Sequence, residues 1–99
     1  MSALFQRVDA HTTEIEETYK QLHMHPELGF EGVKTAAFLA GELKKLGFEV
    51  TEKIGGTGVL GVMKGKEPGI TFAVRADMDA LPMQEETGLP YASKVPGVM

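Results

Sequence analysis

Two carboxylates, Asp77 and Asp79, stand two residues apart just beyond an apolar run from Ile70 to Val74. Arg75 precedes them and Pro82 closes the segment. An ionised group at the mouth of a buried strand costs free energy unless a charge or hydrogen bonds compensate it. The stretch Arg75-Ala-Asp-Met-Asp-Ala-Leu-Pro82 is therefore the first candidate for chemistry. In an extended segment, Asp77 and Asp79 share one side. So placed, they can bind a metal directly or orient a metal ligand from behind. They can equally pair with Arg75 or cap a following turn.

Three other groups carry weaker chemical signals. His23 and His25 are two apart, and helical residues two apart do not share a face. They are expected to be histidines at a helix end, stabilised by the helix dipole, rather than a ligand pair. His11 stands alone and is expected in solvent. Glu85 and Glu86 could face a substrate, but adjacent surface glutamates are ordinarily solvated, and that is the expectation here. Gly56-Thr-Gly58-Val-Leu-Gly61 matches the spacing of a dinucleotide-binding loop. That loop must open a helix whose N-terminus meets the pyrophosphate. Val59 onward is β-branched and glycine-punctuated, so a hairpin turn is the expectation.

The elements that must position these groups follow from periodicity. A helix is predicted over 3–24, with Val8, Thr12, Ile15, Tyr19 and Leu22 on one apolar stripe. Its start is open: Ser2 can cap it, or Thr13 with Glu16 can form a capping box further on. His25 before Pro26 ends it. Pro26–Phe30 reads as a turn. A second helix is predicted over 31–46, burying Ala36, Leu39, Ala40, Leu43 and Leu46. Lys44 and Lys45 suit its C-terminal dipole, and Gly47 is placed to terminate it. Residues 48–54 alternate as a half-exposed strand, 55–58 turn the chain, and 59–64 form a second strand. Residues 70–75 are predicted as a third strand, apolar on both faces and so suited to the inside of a covered sheet. Two helices and a hairpin could cover one of those faces but hardly both, so more protein is expected around it. From Asp77 to Met99 no period is visible, and so long a run is usually functional or disordered.

Composition narrows the function classes. The chain has 99 residues, an apolar fraction of 42%, and ten basic against fourteen acidic residues for a net charge of −4. Without a basic run, nucleic acid and anionic membranes are poor partners. There is no cysteine, hence no disulfide framework or thiolate metal site in these residues. No signal-like amino terminus and no run of membrane-spanning length is present. The expectation is a soluble, cytoplasmic protein.

Taken together, several stretches resemble one family. They are His25-Pro-Glu-Leu-Gly-Phe-Glu31, Lys34-Thr-Ala36, Gly55-Gly-Thr-Gly58, Arg75 to Pro82, Gln84-Glu-Glu-Thr-Gly-Leu-Pro-Tyr-Ala-Ser93 and Pro96-Gly-Val-Met99. In this order and at these intervals they resemble the start of the metal-dependent amidohydrolases. That family includes hippurate hydrolase, N-acyl-amino-acid aminoacylases and plant indole-acetyl-amino-acid hydrolases. The resemblance runs from about Tyr19 to the end. One departure is Gly32, where the family pattern carries a second glutamate.

The resemblance implies a much longer enzyme of α/β class with two domains. This chain would be the N-terminal portion of its catalytic, di-metal aminopeptidase-like domain: two helices, then three strands of a sheet flanked by helices. The dimerisation domain would be absent. Two divalent ions, zinc, manganese or nickel, would serve the full-length enzyme, and none is expected on this chain. A metal-bound water would attack the amide of an N-acyl amino acid or peptide, with a glutamate as general base. In the family, a segment His-Ala-Cys-Gly-His-Asp follows the equivalent of Met99 and supplies metal ligands. In related metallopeptidases a His-x-Asp motif ends the strand, and Asp77-Met78-Asp79 occupies its place. The resemblance thus implies a supporting role near the metals for Asp79 and a lesser one for Asp77. It also implies a homo-oligomer. The alternatives are a small non-catalytic α/β binding module and a nucleotide-binding domain built on the glycine run.

Overall fold

The computed structural model describes residues 2–99. They fall into two compact units, one comprising the chain up to Pro26 together with Pro82–Met99, the other Glu27–Leu81.

In the first unit, the single helix expected over 3–24 is two helices, α1 (Ser2–Asp9) and α2 (Thr12–Met24). The break has a local cause. The Thr12 hydroxyl donates to the Asp9 carbonyl at 2.8 Å, and His11 N–H closes back on Val8 at 2.9 Å. A threonine hydroxyl offers the backbone this alternative to a continuous ladder. Helix α2 restarts with His11 as its N-cap residue, and no side chain caps it. It ends where expected, with His25 pushed out of the helical region ahead of Pro26. The apolar stripe is present but largely uncovered: Val8, Ile15 and Tyr19 are exposed, and only Leu22 is half-buried. Residues 82–99 form no regular element among those described, yet turns order them: Ala92 N–H reaches Leu89 and Val98 N–H reaches Val95.

The second unit is organised by α3 (Val33–Lys45) packed on a hairpin of β1 (Glu49–Ile54) and β2 (Gly58–Val62). Thr35, Ala36 and Ala40 are the buried face of α3. Leu46, expected in that stripe, is 67% exposed because it is already the C-cap residue. Gly47 terminates the helix as expected, at φ +91°. Phe48 N–H bonds Leu43 O and Gly47 N–H bonds Lys44 O, both at 3.1 Å. Those are the two bonds of a Schellman motif.

The hairpin is antiparallel, pairing Glu49 with Val62 and Thr51 with Leu60, then Ile54 with Gly58. Three steps on β1 match two on β2, so β1 carries one extra residue, a bulge that includes Lys53 at φ +60°. The glycine run lies in this turn and in β2, not before a helix. Gly61 lets α3 approach: a Cβ there would stand 3.2 Å from Leu43 Cδ1 and Phe48 Cδ1.

The third predicted strand does not form. Residues 70–75 carry no ladder bond among the described residues, and Ile70, Phe72 and Val74 are 93%, 82% and 86% exposed. Their pattern suits a strand covered on both sides, and neither neighbour nor cover is supplied by these residues. Beyond them the chain makes one isolated parallel bridge, Leu28 with Ala80.

Candidate functional site

Asp77 and Asp79 have separate environments. Asp77 Oδ1 pairs with Arg75 Nη2 at 2.7 Å, both side chains mostly exposed. Of the roles open to it from spacing, Asp77 takes the ion pair. Asp79 lies against Gly29: its Oδ2 is 3.5 Å from where a Cβ of residue 29 would stand. The backbone beside it is anchored, since Ala80 N–H donates to the Glu27 carbonyl at 2.8 Å. Among the described residues, no group of three or more His, Cys, Asp or Glu is placed to hold a metal ion.

Glu27 is held by three bonds from the start of α3. Its carboxylate accepts from Thr35 N–H at 2.5 Å, Thr35 Oγ1 at 2.6 Å and Lys34 N–H at 3.3 Å. Burial raises the Glu27 pKa, but the bonds from Thr35 and Lys34 and the Lys34 charge outweigh it, leaving the group below its ordinary value of 4.5. Sequence reasoning saw only a turn at 26–30. A carboxylate shortly before a helix lacking a capping side chain was the available signal.

The first unit has its own buried carboxylate. Glu85, expected in solvent with Glu86, has a side chain only 1% exposed. It accepts from Thr87 Oγ1, from Ser93 N–H at 2.8 Å and from His23 Nε2 at 2.8 Å. Glu86 is exposed, as expected. The bonds from Thr87 and Ser93 hold Glu85 below its ordinary value against the opposing effect of burial, and His23 adds to them. His23 lies in the last turn of α2, as expected, and its ring is held by aromatic neighbours. Tyr19 stacks on it at 5.8 Å between centroids, and Tyr91 meets it edge-on at 5.9 Å. The loop is fastened again where Lys94 N–H reaches Met24 O at 2.9 Å and Gly97 N–H reaches Gln84 Oε1 at 2.7 Å. No short-range signal marks Glu85, because its partner His23 is 62 residues away.

These two glutamates set an acid limit on stability. Both have folded pKa values below the ordinary 4.5, so each stabilises the fold fully above that value. The contribution is lost as pH falls through the lower folded value. The urea midpoint is expected to be flat from pH 7 to about 5 and to drop below about 4. Glu27→Gln combined with Glu85→Gln should flatten that drop, measured by urea titration across the range.

No known family profile matches the chain. Individual proteins do. Hippurate hydrolase of Campylobacter jejuni is 51% identical over 86 residues, which is 87% of this chain and 22% of that protein. The N-acyl-L-amino acid amidohydrolase of Geobacillus stearothermophilus is 44% identical over 92 residues, 93% of this chain and 25% of that protein. Among solved structures, the YXEP protein of Bacillus subtilis, a dinuclear metal binding peptidase from the M20 family, superposes with a TM-score of 0.84. It is 42% identical, and the match covers 92% of this chain and 26% of that one. The chain thus spans about a quarter of the length of the relatives it matches.

Proposed function

We propose, from the premise that this chain belongs to the amidohydrolase family that includes hippurate hydrolase, that it builds the first part of that family's catalytic domain. The protein carrying it hydrolyses the amide bond of small N-acyl amino acids of hippurate type. The observation that supports this is the identity to hippurate hydrolase over 87% of the chain. Two divalent ions, zinc, manganese or nickel, would activate the attacking water when bound. Asp79 supports the metal ligands without being one, and Asp77 helps to hold the segment through Arg75. The enzyme is a cytoplasmic homo-oligomer whose partners are small substrates rather than nucleic acid or membrane. Among the described residues no helix is long and apolar enough to cross a membrane.

A self-sufficient binding module would need a core of its own. The buried apolar side chains among the described residues are Pro26, Ala36 and Ala40, and no large side chain is fully buried there. The exposed run at 70–74 also fits a chain completed by further protein.

The test is hydrolysis of hippurate and N-acetyl-methionine with added divalent metal. The 99-residue chain is expected to be inactive, since no group among its described residues is placed to hold a metal ion. The longer protein that carries it is expected to be active and chelator-sensitive. There, Asp79→Ala is expected to lower metal affinity or activity about 10- to 100-fold, the range for residues that support metal ligands. Activity of the isolated chain would overturn the division of labour. A full-length Asp79→Ala variant with unchanged activity and metal content would overturn the role of Asp79.

A further inference from the structure

We propose that Glu27 is the positioning residue for Asp79, an inference that rests on the supporting role of Asp79 proposed above. Glu27 works through two different groups. Its carboxylate takes the N–H groups of Lys34 and Thr35 and the Thr35 hydroxyl. Those amides lie in the first turn of α3 and have no partner within the helix. The N-cap residue is Gly32, which has no side chain to serve them. Glu27 therefore caps the helix from outside it, and the helix in return immobilises Glu27.

The backbone carbonyl of Glu27 then reaches the other way. It accepts Ala80 N–H at 2.8 Å, and the adjacent Leu28 forms the parallel bridge with Ala80. Asp79 is the next residue back along the chain, with its carboxylate against bare Gly29. Residues 63–79 have no ladder of their own among those described, and the ion pair within them, Arg75 with Asp77, is mostly exposed, so the backbone anchor beside Asp79 is the bond from Ala80 N–H to Glu27. The helix cap sets the 27–29 turn, and the turn sets Asp79.

Hydrogen exchange and NOE measurements on the longer protein that carries the chain test this. In Glu27→Ala, the Ala80 amide is expected to exchange roughly tenfold or more faster, because a charge-assisted cap is lost. The NOE between Gly29 α-protons and Asp79 β-protons should vanish, while amides of the β1–β2 hairpin keep their protection. Glu27→Gln retains an acceptor oxygen and should restore most of the Ala80 protection. Unchanged Ala80 exchange in Glu27→Ala overturns the proposal. So does acceleration shared equally by the hairpin, which would mark a general loss of stability. Should Glu27→Ala fail to fold, Thr35→Val removes a single donor and is expected to speed Ala80 about threefold. An unchanged Ala80 there overturns the proposal as well. Neither metal nor substrate enters this measurement, so it can fail while the Asp79→Ala result stands, and the reverse.

Discussion

Glu85→Ala is expected to release the loop over residues 84–98 from α2 and leave the 27–81 unit unchanged. The variant removes the acceptor shared by Thr87, Ser93 and His23. Ser93 then loses its amide anchor, and its hydroxyl bond to Val98 O at 2.6 Å loses its fixed base. Loss of bonds to a charged acceptor should raise exchange at Ser93 and Lys94 roughly tenfold or more. The His23 ring should also lose its orientation between Tyr19 and Tyr91, visible as altered ring-proton shifts. Glu85→Gln should be milder at Ser93, where a carbonyl oxygen suffices. It forfeits the charge that favours the His23 contact. Unaltered protection at Ser93 and Lys94 in Glu85→Ala would show that the turns alone hold the loop.

Gly58→Ala should be the most damaging single methyl in the second unit. A Cβ at Gly58 would stand 2.5 Å from the Ile54 carbonyl oxygen, a backbone atom that cannot rotate away. Ile54 is also the residue paired with Gly58 across the hairpin, so any shift disrupts the last rung. Overpacking of this kind costs about 1–3 kcal/mol, and contact with backbone places this case toward the upper end. Gly69→Ala is the control: nothing lies within 4 Å of its Cβ position, and its stability should be nearly unchanged. Urea titration of the pair gives the difference directly. Equal midpoints would refute the close approach. In this hairpin a strand rather than a helix follows the glycines, so the nucleotide-loop spacing here lacks the helix N-terminus that would meet a pyrophosphate.

Local rules carried the second unit well. The α3 boundaries, the Gly47 terminator and the hairpin follow from period, helix-end chemistry and turn residues, all of which act over a few neighbours. The family resemblance was legible for a related reason: residues such as His25 to Glu31 and Arg75 to Pro82 stand in a fixed order that composition alone would not produce. Where the same rules misled, a competing interaction was at work. The Thr12 hydroxyl divides a helix whose apolar period runs on unbroken. The run at 70–75 has the composition of a buried strand, but a ladder needs a second backbone and these residues supply none.

The sequence by itself determined the Ala36 and Ala40 face of α3, the turn at the glycines, the resemblance to one family, and the pair Asp77 and Asp79 as the first place to look for chemistry. Only the tertiary structure decided what each carboxylate does. It gave Asp77 to Arg75, set Asp79 against Gly29, and turned Glu27 and Glu85 from a turn residue and a surface residue into anchors. The reason is physical. A carboxylate's role depends on which donors reach it, and for Glu85 the donor His23 lies on a helix 62 residues away. Periodicity reports which face of an element is apolar, but it carries no information about distant donors that folding brings to an acid.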